Sequence, residues 1–167
     1  MRLTSMRLAL FGLAVALATQ AGAQTVTAKS TREPARVVFV CEHGSVKSLV
    51  AMEHFNRKAR ERGLAYQAVA RGTSPERAVP DAVRAGLRTD GFETSDFVPQ
   101  LLTASDVEHA ALVVSFDQDI TAVVAGKARH LAWDSLPGVL ADYPGGRTAI
   151  VTRIDSLLDE LARANPP

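Results

Sequence analysis

Cysteine is almost missing from this chain: Cys41 is the single thiol in 167 residues. An intramolecular disulfide is thereby excluded, and the thiol is either a small buried hydrophobe or a reactive group. A charge excess is missing as well. Nineteen Lys and Arg are interspersed with eighteen Asp and Glu, so neither a polyanion-binding surface nor a nucleic-acid partner is expected. No internal repeat or low-complexity stretch occurs, and no metal or cofactor is expected. The apolar run Leu8 to Ala18 is too short for a comfortable membrane span, and no stop-transfer pattern follows it.

That run has its own meaning. Arg2 and Arg7 precede it, and Ala21-Gly22-Ala23 follows it with the small-x-small pattern of a signal-peptidase site. Residues 1–23 are therefore expected to be a cleavable signal peptide, cut after Ala23, with the product periplasmic or secreted and not stably inserted in a membrane. Removal of Arg2 and Arg7 leaves seventeen basic residues against eighteen acidic ones, a net charge of about −1. Residues 24–35 are polar without periodicity and read as a flexible tether.

From residue 36 to 164, strand and helix signals alternate, enough chain for one α/β domain. Val37 to Val40 is a continuous apolar run, as in a strand buried on both faces. From Val46 onward, Leu49, Val50, Met52, Phe55 and Ala59 fall at roughly helical spacing, and Gly63 is a suitable terminator. Further strands are expected at 66–70, 112–116 and 130–133. Helices are expected at 80–90, near 120–125, and at 149–164, and Thr103 with Asp106 looks like a cap opening a short one. Such alternation implies a parallel sheet covered on both faces by helices, with ligands bound outside the carboxyl ends of the strands. Cys41 sits at the carboxyl end of the first strand, which favours the reactive reading.

Glu42, His43, Gly44 and Ser45 connect that strand to the helix beginning near Val46. Consecutive backbone N–H groups in such a loop, joined by the positive end of the helix dipole, cradle a tetrahedral oxyanion. Gly44 permits the positive φ that such turns demand. Ser45 and Val46 contribute backbone N–H groups, Ser48 reaches the sulfur, and Lys47 supplies a cation. Thiolate is the nucleophilic form of cysteine, and a site built for anions suits it.

Cys41-x5-Lys47-Ser48 at a strand-loop-helix junction resembles the low-molecular-weight protein tyrosine phosphatase family and its arsenate reductase relatives, whose loop is Cys-x5-Arg-Ser. The stretch "ARGTSPERAVPDAVRAGLRTDGFETSDFVPQLLTASDVEHAALVVSFDQDI" matches the family in order and spacing, and the likeness runs over about residues 36–163. The resemblance implies a three-layer α/β sandwich with a four-stranded parallel sheet. It also implies hydrolysis of a phosphomonoester, of protein phosphotyrosine type, through a cysteinyl-phosphate on Cys41, with phosphate or another oxyanion held by residues 42–48.

Three departures from the family pattern, and one added charge, stand against full activity. Lys47 replaces an arginine that would grip two oxygens with a planar fork, where lysine is a point charge. Gly44 stands where the family usually has Asn, and Glu42 adds negative charge. The family's general acid is an Asp before Pro, and "HLAWDSLPGVLADYPGG" holds no such pair. Asp134 fits arsenate reductase-like spacing from Trp133 and Asp142 fits phosphatase-like spacing; Asp134 is narrowly preferred. His43 and His130 read as a solvated and a structural histidine, and Trp133 as packing. Two alternatives to a weakened phosphatase follow: an arsenate reductase-like enzyme using an external thiol, since no resolving cysteine is present, and a non-catalytic oxyanion-binding or regulatory domain.

Overall fold

A run of β-branched residues starts the fold at its centre. The computed structural model describes residues 33–164; the expected signal peptide and residues 24–32 of the tether lie outside the described residues. Strand β1 (Ala35–Cys41) has Val37, Val38, Phe39 and Val40 fully buried. It starts one residue inside the expected tether, because Ala35 already pairs with Tyr66 of β2 (Tyr66–Gly72). Helix α1 (Lys47–Glu61) ends before Gly63, which takes φ +66. Next come α2 (Asp81–Thr89), α3 (Ala104–Glu108), β3 (Ala110–Ser115), α4 (Thr121–Val124), β4 (Arg129–Ala132) and α5 (Tyr143–Ala164). The capping box at α3 is formed, with the Asp106 backbone N donating to Thr103 Oγ1 and the Asp106 carboxylate accepting from Thr103 N.

All strand pairs are parallel, in the order β2-β1-β3-β4. Along β1 the side chains alternate between two apolar clusters. Val37, Phe39 and Cys41 join Leu49 and Phe55 of α1, Val83 of α2 and Ile154 of α5. Val38 and Val40 join Val107 of α3 and Val124 of α4 on the opposite face. The result is a three-layer sandwich. Phe39 centres the larger cluster, with ring centroids 5.6 Å from Phe55, 5.9 Å from Trp133 and 6.1 Å from Phe116, each such pair adding roughly 0.5–1.5 kcal/mol beyond buried area. From β1 the chain passes to β2 on one side and then to β3 on the other. The crevice at that reversal lies at the carboxyl end of β1, where Cys41 is the last residue.

Helix α5 begins at Tyr143 rather than Ala149. Periodicity alone misses this turn because Pro144, Gly145 and Gly146 are poor helix formers. Asp142 compensates: its Oδ1 accepts from Gly145 N at 3.0 Å and its carbonyl from Gly146 N at 3.0 Å. The Tyr143 ring lies where a Cβ of Gly86 in α2 would be, and its hydroxyl donates to Asp90 Oδ2 at 2.8 Å. The same carboxylate oxygen is 3.2 Å from Nε2 of His54, which is 2% exposed, and Nδ1 of that ring is 3.3 Å from Arg57. Burial lowers the His54 pKa, opposed by the Asp90 charge and aided by that of Arg57.

Candidate functional site

The loop after β1 is shaped by its backbone. Gly44 has φ +68, and a Cβ there would sit 2.8 Å from Gly72 N. Thr73 N, Ser74 N and Glu76 N donate to the carbonyls of Cys41, Glu42 and His43 at 3.1, 2.8 and 3.1 Å. The loop's carbonyls are thereby engaged by the segment after β2. The consecutive N–H groups from Glu42 to Lys47, by contrast, have no acceptor among the described residues. Helix α1 has no side-chain cap, and its N-cap residue Val46 has φ −116 and ψ −101. Unpaired donors beside a cysteine, at the positive end of a helix dipole, are suited to an oxyanion.

The side chains around this loop divide into buried supports and cavity walls. Ser45 and Ser48 are fully buried. Ser45 Oγ donates to Glu76 Oε2 at 2.7 Å, and Ser48 Oγ is 3.0 Å from Cys41 Sγ. Cys41, Glu42, His43, Val46 and Lys47 line a cavity of about 200 Å³. Its far wall is Phe116 to Gln118 and Gly138 to Leu140. His43 is half-exposed, 3.9 Å from carboxylate oxygens of both Glu42 and Glu76. Lys47 Nζ donates to Asp117 Oδ2 at 2.6 Å and to Leu136 O at 2.9 Å.

Asp117 is the site residue that sequence reasoning missed. Its N donates to Asp134 Oδ1 at 3.1 Å, and its own Oδ1 accepts from Ser135 N at 2.8 Å. Asp117 (φ 52) and Ser135 (φ 62) are the two non-glycine residues with positive φ among the described residues, a conformation that is held only when the surroundings over-determine it. Partial burial works to raise the Asp117 pKa, but the hydrogen bonds from Lys47 and Ser135 N and the Lys47 charge outweigh it, holding the carboxyl below its ordinary range. The available signal was positional: Asp117 follows the carboxyl end of β3, on the same edge of the sheet as Cys41.

Neither expected proton donor lines the Cys41 cavity. Asp134 lies in the adjoining depression with Asp119 and His130, and Asp142 is exposed at the start of α5. His130 Nε2 is 2.9 Å from Ser115 Oγ, and Trp133 is buried against Phe39 and Phe116. Gly44 leaves no room for a Cβ. The turn owes its shape to backbone contact with Gly72, and an Asn side chain at position 44 would have to displace that backbone. Among the described residues no group of three or more His, Cys, Asp or Glu is arranged to hold a metal, and no helix is long and apolar enough to cross a membrane.

Comparison with known proteins agrees with this fold. The family model described as low molecular weight phosphotyrosine protein phosphatase matches residues 36–132. No match was found among curated protein sequences. Among solved structures, the thioredoxin-dependent arsenate reductase Cg_ArsC1' of Corynebacterium glutamicum is similar at 18% identity and TM-score 0.69, over 82% of this chain and 66% of that one. A low molecular weight protein tyrosine phosphatase from T. tengcongensis is similar at 23% identity and TM-score 0.66, over 75% and 99%. A cysteine-to-serine mutant of the YwlE arginine phosphatase, with its active-site serine phosphorylated, is similar at 18% identity and TM-score 0.65, over 75% and 95%.

Proposed function

The chain belongs to the low molecular weight phosphotyrosine protein phosphatase family, and from that premise we propose that it is an exported, weakened phosphomonoester hydrolase acting through Cys41. One observation carries the proposal: the unpaired N–H groups from Glu42 to Lys47 adjoin a cysteine whose sulfur already has a hydrogen-bond partner in Ser48. In the proposed reaction the Cys41 thiolate attacks phosphorus. An S–P bond forms, the P–O bond to the leaving group breaks, and that oxygen takes up a proton. Water then attacks phosphorus, the S–P bond breaks, and phosphate leaves with the thiolate restored. The loop N–H groups stabilise charge on the equatorial oxygens throughout.

Two features make turnover slow. Lys47 offers a point charge without a fork, and two of its three donors are engaged by Asp117 and Leu136. Neither Asp134 nor Asp142 lines the cavity in which a leaving group has to be protonated. The pairing of Lys47 with Asp117 favours a second reading, an oxyanion-binding domain without turnover. Arsenate reduction is the weaker alternative: Cys41 has no resolving partner in this chain, so an external thiol would have to supply the electrons. The arginine phosphatase among the similar structures brings a phosphoguanidine into consideration as a substrate beside a phosphoryl ester.

Hydrolysis of an aryl phosphate by residues 24–167, beside Cys41→Ser and Lys47→Arg, tests the proposal. Activity lost in Cys41→Ser and raised in Lys47→Arg, by up to roughly 10², supports a weakened phosphatase. Activity unchanged by Cys41→Ser rules out the covalent route. Phosphate binding without turnover in any variant supports the second reading.

A further inference from the structure

We propose that Asp117 is a latch on the oxyanion cradle, a positioning residue that holds the Lys47 ammonium and neutralises it until a ligand draws the ammonium away from the carboxylate. This rests on the reading of the Cys41 loop as an oxyanion site and adds how that site is held closed. A lysine ammonium has three N–H donors. Asp117 Oδ2 takes one at 2.6 Å and Leu136 O another at 2.9 Å, which leaves one for a ligand.

The carboxylate is not there by chance of a flexible side chain. Its second oxygen is tied to Ser135 N at 2.8 Å, and its backbone N to Asp134 Oδ1 at 3.1 Å. The first bond joins two residues in left-handed conformation, Asp117 and Ser135, and the second ties Asp117 to the residue before Ser135. Lys47 is thus the mobile partner and Asp117 the fixed one. Lysine is a flexible chain, whereas the Asp117 carboxylate is held through Oδ1 independently of Lys47 and its backbone is held as well.

The charge balance gives the latch its effect. Lys47, Asp117, Glu42 and His43 are the ionisable side chains that line the cavity beside Cys41. With Lys47 matched by Asp117, an arriving phosphate dianion meets backbone donors and no net positive charge, and it must compete with a carboxylate for the ammonium. Binding of a phosphate or phosphomonoester is therefore weaker than the loop alone would allow. A ligand with additional contacts to the exposed Leu140 at the cavity wall is favoured over bare phosphate.

Titration calorimetry with inorganic phosphate at neutral pH tests this on wild type, Asp117→Asn, Asp117→Ser, Lys47→Met and the Lys47→Met/Asp117→Asn double variant, each checked for folding by thermal melting. Asn retains an acceptor for Ser135 N and discards the charge. The latch predicts roughly fivefold tighter phosphate binding in Asp117→Asn and Asp117→Ser, the size expected when a partly exposed ion pair is released. It predicts weaker binding in Lys47→Met, whose Asp117 carboxylate is left bare, and a return towards wild type in the double variant. Phosphate binding by Asp117→Asn and Asp117→Ser that is no tighter than wild type overturns the latch and leaves the cradle standing. Equal gains in Asp117→Asn and the double variant overturn it too, since the gain would not pass through Lys47. Should a position-117 variant fail to fold, Lys47→Met still decides: unchanged phosphate binding overturns the latch. No phosphate binding by any chain overturns the cradle reading itself, and the latch with it.

Discussion

Gly44 and Gly72 stand back to back: a Cβ on either would lie 2.8 Å from the other's backbone nitrogen. The loop after β1 is pressed against the end of β2 through bare backbone, and this contact turns the loop's carbonyls towards residues 73–76 while its N–H groups stay unpaired.

Substitution of either glycine by alanine is expected to loosen the cradle. At Gly44 the left-handed backbone adds its own cost to the clash, for a total of about 2–3 kcal/mol, and at Gly72 the clash alone costs about 1–2 kcal/mol. Urea unfolding measures the first quantity. Phosphate titration of the still-folded variants is expected to show a loss of binding larger than the loss of stability explains.

Gly86 behaves against its helical setting. Alanine in a helix interior ordinarily adds roughly 0.5–1 kcal/mol over glycine, but here the new Cβ falls on the Tyr143 ring. Gly86→Ala is expected to lower the melting temperature, and Gly86→Ala/Tyr143→Ala to lie above the sum of the two single effects. A stabilised Gly86→Ala would refute the packing.

Acid should weaken the fold in two stages. His54 has its pKa lowered by burial, so the unfolded chain binds a proton more readily than the folded one. The stability it supports is complete above the unfolded histidine value of about 6.5 and is lost as pH falls from there towards the lowered folded value. Asp106 acts later. Burial would raise its carboxyl, but hydrogen bonds from Arg71 and Thr103 and the Arg71 charge prevail and lower it. Its contribution is present above the unfolded value of about 3.9 and disappears as pH falls through the lowered folded value. Melting temperatures between pH 3 and 8 are expected to show both declines, and His54→Gln to remove the first.

Asp142 separates two roles by one atom. Asn at this position still accepts from Gly145 N, so Asp142→Asn is expected to keep the stability of α5, whereas Asp142→Ala loses about 1 kcal/mol of capping. A carboxyl that protonates the leaving group cannot be replaced by an amide. Aryl phosphate hydrolysis by Asp142→Asn, measured against pH, therefore shows which role Asp142 has.

Much of the fold was legible in local sequence. Val37 to Val40 announced a buried strand, Gly63 ended α1 where expected, and Thr103 with Asp106 formed the cap their spacing suggested. The first turn of α5 was not legible, because Pro144, Gly145 and Gly146 argue against a helix and only the Asp142 cap and the seat of Tyr143 over Gly86 overrule them. Of the site, the run from Cys41 to Ser48 was visible as a unit, since a strand end, a loop and a helix start are all written within a few residues. Asp117 was visible only as an acidic residue after a strand.

By itself the sequence determined the parallel α/β architecture, the place of the lone thiol at a strand's carboxyl end and the presence of a cation beside it. These follow from short-range chemistry: side-chain periodicity, turn residues and spacing along one chain segment. Only the tertiary structure decided what that cation does. Lys47 meets Asp117 across 70 residues of sequence, because the strand order β2-β1-β3-β4 sets the carboxyl ends of β1 and β3 side by side. Pairing between side chains brought together by strand order leaves no trace in local sequence, and here it sets a carboxylate against the cation of the Cys41 loop.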